Sequence, residues 1–194
     1  STIQPGDAKY VDINGDGVVD DNDRTIIGRG HPIHTGGFTN NFKYKNFDLN
    51  IFFTWSYGND ILNANRLLFD NGLWKRETNM FASYADRWTP ENPNSDIPRA
   101  ASQPNVFSSR VIEDGSYLRL KSVTLGYNFP QRVLKKLMLS SARIFVSGEN
   151  LWSWTSYTGY DPEVSVRNSA LTPGFDYSAY PRAYNFSVGL NVSF

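Results

Sequence analysis

The last eleven residues confine the chain more than any other stretch. Tyr184, Phe186, Val188, Leu190, Val192 and Phe194 alternate with Asn185, Ser187, Gly189, Asn191 and Ser193. A period of two is the strand period, so one face of this segment is wholly apolar and the other small or polar. Phe47, Leu49, Ile51, Phe53, Trp55 and Tyr57 repeat the pattern against Asp48, Asn50, Phe52, Thr54 and Ser56. Just upstream, Phe38, Phe42 and Tyr44 predict a partner strand, joined through Lys45-Asn46 as a hairpin. A slip of one residue would turn Asp48 or Lys43 onto the apolar face, so the register is well specified.

From Tyr117 to Phe129, Leu118 and Leu120 lie on one parity and Val123, Leu125 and Tyr127 on the other. A bulge near Lys121-Ser122 reconciles them. ARIFVSGENLW, from Ala142, is apolar on both parities, and its faces stay unassigned. The expectation is five antiparallel strands.

The connections are unequal. Lys45-Asn46 and residues 130–140, with a helical turn or two in QRVLKKLML, are short; residues 58–116 and 153–183 are long and rich in Asn, Pro, Gly, Trp and Tyr. Antiparallel strands alternate direction, so both long loops leave one end of the sheet and both short ones the other. DILNANRLLFDNG in the first long loop predicts a short helix, and WTPENPNSDIPR irregular chain.

Composition excludes several classes. Lys+Arg and Asp+Glu are equal at 19 each, so no net field points to nucleic acid. Cysteine is absent, which removes disulfides, thiolate metal sites and a Cys nucleophile. No apolar run is long enough for a transmembrane helix, and STIQPGDAKY lacks the regions of a signal peptide. Any membrane role therefore falls to strands. Their length of roughly ten residues, the aromatics at their ends and the loop asymmetry favour a transmembrane barrel over a soluble sandwich.

The motifs GDAKYVDINGDGVVDDNDRTIIG, TGGFTNNFKYKNFDLNIFFTWSYGNDI, YLRLKSVTLGYNFP and GENLW, and the closing strand to Phe194, occur in an order that resembles the C-terminal end of a SusC/RagA-type TonB-dependent outer-membrane transporter of Gram-negative bacteria. The resemblance covers nearly the whole chain. It implies an all-β segment of a plugged barrel of about 22 strands, with extracellular long loops and periplasmic short turns. Residues 1–36 would be an extracellular loop and 37–194 the last barrel strands. The function implied is import of oligosaccharides or peptides. The implied partners are a SusD-type surface lipoprotein, the TonB–ExbB–ExbD complex acting through an N-terminal part beyond this chain, the lipid bilayer, and the outer-membrane assembly machinery. That machinery would read Phe186, Val188, Leu190, Val192 and Phe194. Five strands do not close a barrel, so the chain is expected to be a fragment that transports nothing by itself. The rival is a secreted, calcium-stapled β-sandwich used for binding or adhesion.

DINGDGVVDDND has the ligand spacing of an EF-hand loop, with Asp12, Asn14, Asp16, the Val18 carbonyl, Asp20 and Asp23 at positions 1, 3, 5, 7, 9 and 12 and Gly17 at the sharp turn. Alternate residues of such a loop point inward at a hard cation, so Ca2+ is the expected cofactor. Asp replaces the usual Glu at position 12, and no flanking helix is predicted, which describes a static clip. Asn14-Gly15 and Asp16-Gly17 are also strong turn dipeptides, and a metal-free turn is the plainer alternative. His31 and His34 are expected to be loop histidines without a role. Trp74, Trp88, Trp152, Trp154, Tyr157 and Tyr160 could contact sugar or a lid protein, or instead pack the loops or belong to an interfacial girdle. No catalytic grouping stands out, so an enzyme is not expected.

Overall fold

The computed structural model describes residues 3–70, 79–100, 107–164 and 172–194. In chain order its elements are β1 (His34–Tyr44), β2 (Phe47–Tyr57), β3 (Asp60–Asn63), α1 (Ala64–Phe69), β4 (Ile112–Asp114), β5 (Tyr117–Asn128), α2 (Gln131–Leu137), β6 (Ser141–Thr155), β7 (Phe175–Asp176) and β8 (Asn185–Ser193). They fall into two compact units interleaved along the chain. One takes Ser1–Gly30, Asp60–Glu113 and Val164–Ala179, the other His31–Asn59, Asp114–Glu163 and Tyr180–Phe194.

The second unit is the expected five-stranded antiparallel sheet, in the order β1-β2-β5-β6-β8. Tyr44 pairs with Phe47, Phe42 with Leu49 and Phe38 with Phe53, so the aromatic residues of the first hairpin share a face. The turn is the two-residue Lys45-Asn46, with Lys45 in the left-handed region at φ 52. Asn46 Nδ2 donates to the Asn128 carbonyl at 2.8 Å, fastening this turn to the end of β5. β1 begins at His34, so His34 is a strand residue and only His31 lies in a loop.

The bulge is where the parity switch puts it. Phe52 faces Ser122 and Phe53 faces Leu120, which leaves Lys121 as the extra residue. β6 carries a second irregularity beside it, between Glu149 and Trp152, where Asn150 adopts φ 55. The mixed parity of β6 has a further cause in Phe145. It sits on the polar face between Gly126 of β5 and Gly189 of β8, and a Cβ at Gly189 would overlap its ring. An aromatic fits on that face because both neighbours lack side chains.

At the end carrying the long connections, residues 58–59 and 115–116 are knotted together. Gly115 N donates to Asn59 O at 2.7 Å, and Gly58 N, at φ 77, donates to Ser116 Oγ at 3.0 Å. The start and finish of the first long connection thus lie side by side.

The other unit has a three-stranded sheet, β4-β3-β7, in which β3 and β7 run parallel. The helix predicted at DILNANRLLFDNG starts later than expected, because its first four residues are β3, and among its described residues Ala64–Phe69 is helical. Ile61 lies in β3, and its burial there, together with Val111, Ala64 and Leu67, makes a small apolar core. Asp7 pairs with Arg99 at 2.6 Å, and Gly6, at φ 85, lets the Trp88 ring lie against the backbone.

Candidate functional site

Register places the two faces of the large sheet. The apolar face collects Phe38, Phe42 and Tyr44 from β1, the alternate residues Phe47 to Tyr57 from β2, Val123, Leu125 and Tyr127 from β5, Ile144, Val146, Trp152 and Trp154 from β6, and the even-numbered residues of β8. These side chains are not covered: Leu125 is 49%, Val146 50%, Phe186 75% and Val188 75% exposed. A contiguous apolar face of this size is costly in water and signals an interface. Phe186, Val188, Leu190 and Val192 all lie on it, and Phe194, just beyond β8, is exposed.

The opposite face is polar and internally bonded. Asn50 Nδ2 donates to Asn41 Oδ1 at 2.6 Å, the hydroxyls of Thr124 and Ser147 lie 2.9 Å apart, and Arg143 Nη2 reaches Asp48 Oδ2 at 2.5 Å. That last pair spans β5 above Gly126, whose missing side chain leaves the space the guanidinium and carboxylate occupy. Nearer the long connections, Arg119 is 3% exposed and pairs with Asp161, which is 5% exposed. Arg182 completes the cluster, its backbone N–H donating to Asp161 at 3.2 Å and its Nη2 lying 2.8 Å from Glu163. Burial works to raise the Asp161 carboxyl, but the Arg119 guanidinium and the N–H groups of Glu163 and Arg182 outweigh it and hold the group below the usual carboxylate range. This cluster is invisible in the sequence, since its members are 42 and 21 residues apart. The one available signal was a lone Arg on the polar parity of a strand.

The six aromatic candidates separate. Trp152 and Trp154 are strand residues on the apolar face, and Trp154 shares a recess with Trp55, Tyr57 and Leu118. Tyr157 is buried, Tyr160 is exposed, and Trp88 packs on Gly6. Trp74 lies outside the described residues. His34 accepts a hydrogen bond from Trp55 Nε1 at Nδ1, 3.0 Å away, and stacks on Tyr57.

In the Asp12 loop each candidate Asp or Asn side chain accepts from the loop's own backbone. Asp12 accepts from the N–H of Gly15 at 2.6 Å and of Gly17 at 2.8 Å, Asn14 from Asp16 at 2.9 Å, and Asp16 from Val18 at 2.8 Å. Asp20 caps a 3-10 turn over Asp21–Asp23, and Asp23 accepts from Asp20 and Ile13 at 2.8 and 2.7 Å. The Asp20 and Ile13 N–H groups hold the Asp23 carboxyl below its ordinary value. Gly15 and Gly17 take φ 77 and 84, as the tight turns require. The donor set, all oxygen, suits a hard cation. Among the described residues, however, no three His, Cys, Asp or Glu side chains are grouped to hold a metal.

An antiparallel sheet of spanning-length strands, apolar and open on one face and polar on the other, defines the class of outer-membrane β-strand proteins. Comparison narrows it. No protein-family model matches the chain. It is 42% identical over 195 residues to the TonB-dependent receptor P3 of Formosa agariphila, a match covering 98% of this chain and 19% of that receptor. It is 27% identical to the TonB-dependent receptor SusC of Bacteroides thetaiotaomicron, over 98% of this chain and 18% of SusC. Among solved structures, the RagAB peptide importer in its closed-closed state superposes with a TM-score of 0.76 at 27% identity, over 87% of this chain and 18% of that one. The chain is a SusC/RagA-like segment of the TonB-dependent receptor family, and its place is the outer membrane. It spans about a fifth of the length of the curated relatives it matches.

Proposed function

We propose that this segment is part of the wall of a transmembrane β-barrel in a TonB-dependent transporter that imports oligosaccharides or peptides. The observation that carries the reading is the uncovered apolar face, built by strands of 9 to 15 residues, where a bilayer crossing needs about 9–11. In this reading the long connections are extracellular, the short turns periplasmic, and the polar face with Asp48, Arg143 and Arg119 looks into the lumen. A SusD-type lipoprotein closes the outer mouth, and TonB–ExbB–ExbD drives transport through parts of the receptor outside this segment. The solved RagAB structures are of a peptide transporter, which supports the peptide class, and the oligosaccharide class rests on the resemblance in sequence motifs. Gel migration of the detergent-extracted full-length receptor before and after heating tests the barrel; a mobility that heat leaves unchanged refutes it. Uptake of labelled oligosaccharides and peptides by cells with and without the receptor assigns the substrate.

A second reading concerns the Asp12 loop, which we propose binds Ca2+ as a static clip. Its support is the ligand spacing and the second lone pairs that its oxygens keep after bonding the backbone. Isothermal titration of the full-length receptor with calcium should give a Kd on the order of 0.1–1 mM, lost in Asp16→Ala; absence of heat in the unaltered protein rejects it.

A further inference from the structure

The link between β5 and β6 contains a cluster of charge that neither the sheet nor transport explains. Residues 129–142, FPQRVLKKLMLSSA, hold three cations and no acid. In α2, Arg132, Lys135 and Lys136 are all exposed, and among the described residues none is ion-paired. At 100° per residue these three fall on one arc of the helix, and Val133, Leu134 and Leu137 on the other. Leu134 is the anchor, 3% exposed, while Val133 and Leu137 remain exposed beside it. Met138 ends the helix at φ 55 and is 87% exposed, its side chain held out by a left-handed cap in which Leu139 N donates to Leu134 O at 3.0 Å.

The neighbourhood of this helix sets its depth. α2 packs on β6. At the same end of the sheet the apolar face finishes in rings: Phe47 and Tyr127 lie 4.8 Å apart, Tyr127 and Phe129 5.4 Å, and Lys45 Nζ sits 5.3 Å over the Tyr44 ring. Aromatics at strand ends mark the membrane–water boundary. α2 begins directly after Phe129 and Pro130, which on the barrel reading puts it at headgroup level. At the opposite end of the sheet the cations Arg119 and Arg182 are matched by Asp161 and Glu163, whereas at the α2 end the carboxylate of Asp48 is already engaged by Arg143.

We infer that α2 is an interfacial anchor for anionic phospholipid, its cations on the headgroups and Val133, Leu137 and Met138 in the acyl boundary. Two features select this occupant: the unpaired positive charge, which needs an anionic surface, and an exposed apolar arc at the end of the sheet where the apolar face finishes in rings. Seven residues would not hold as a free helix, but strands fix both its ends. The inference rests on the barrel reading and adds to it an attachment at the short-turn rim.

The test uses the full-length receptor, purified in detergent, shown to be heat-modifiable, and placed in nanodiscs of phosphatidylethanolamine with a minority of phosphatidylglycerol. Native mass spectrometry of the released protein reads the ratio of the two lipids retained. Enrichment of phosphatidylglycerol over the bulk ratio is expected, weakened by raised salt and by Arg132→Gln, Lys135→Gln and Lys136→Gln, about fivefold for each cation removed at low ionic strength. Leu137→Ser with Met138→Ser should weaken retention of both lipids. Unchanged enrichment in the triple variant overturns the inference and leaves the cations for an acidic protein. Should that variant assemble poorly, the single Lys136→Gln and the charge-preserving Lys135→Arg/Lys136→Arg decide the same point. An unaltered receptor that is not heat-modifiable refutes the barrel; one that is heat-modifiable but shows no enrichment refutes only the anchor.

Discussion

At the scale of single residues, the most consequential one is Arg119. Its strand parity aims it at the polar face, where Asp161 meets it, and both are almost wholly buried. Removing one member of a buried pair strands the other charge at about 3–5 kcal/mol. Arg119→Ala in the full-length receptor should therefore free residues 156–163, read as new protease cleavage there. The pH dependence follows from Asp161. Its folded carboxyl is lowered despite burial, so its contribution is complete above the ordinary aspartate value of about 3.9 and is lost as pH falls through the folded value. Cleavage of the loop should stay constant from pH 7 to 5 and rise only below about 4, and Asp161→Asn should flatten the profile. A rise already present near pH 6 would point to a different group.

At the scale of elements, parity is the testable property. Val146 and Ser147 are adjacent in β6 and face opposite sides of the sheet. Val146→Arg should cost about 2–4 kcal/mol near the bilayer midplane and remove the heat-modifiable form. Ser147→Arg, on the polar face, should assemble normally. Equal yields would refute the assignment of faces. Gly189→Val carries a different cost, because the added side chain meets the Phe145 ring; it should lower the thermal midpoint of the assembled receptor, and Phe145→Ala should recover part of the loss. β8 offers a third case, in which Phe194→Ala reduces assembled receptor in the outer membrane if its apolar residues are the signal read on insertion.

The parity switch in β5 placed a bulge near Lys121-Ser122 from sequence alone, since an apolar pattern that changes phase leaves no other geometry for a strand with one apolar face. β6 resisted the same reading. Its Phe145 is tolerated on the polar face only because two glycines from other strands flank it, and cross-strand neighbours are not written in a strand's own sequence. The Asp12 loop lies between these cases. Its turns are legible in the Asn-Gly and Asp-Gly pairs, whereas the backbone groups that Asp23 bonds come from residues up to 10 positions away.

At the scale of the molecule, the sheet order β1-β2-β5-β6-β8 sends the long connections to one end and the short ones to the other. That asymmetry, together with the relatives and the solved RagAB structures, supports the proposal that the chain is a stretch of receptor wall. Five strands leave two open edges, and unsatisfied backbone groups are prohibitive in lipid. The segment expressed by itself and refolded in detergent should give no heat-modifiable species, in contrast to the full-length receptor; a compact heat-sensitive band from the segment alone would contradict its role as one part of a larger barrel. The sequence by itself determined what depends on period and turn chemistry: the five strands, their register, the bulge, the end on which each loop emerges, and the family. Only the tertiary structure decided the Arg119–Asp161 pair, the Asp48–Arg143 bridge over Gly126 and the seat of Phe145. Those contacts join residues tens of positions apart, and alternation along a strand sets which way a side chain faces, never which distant residue meets it there.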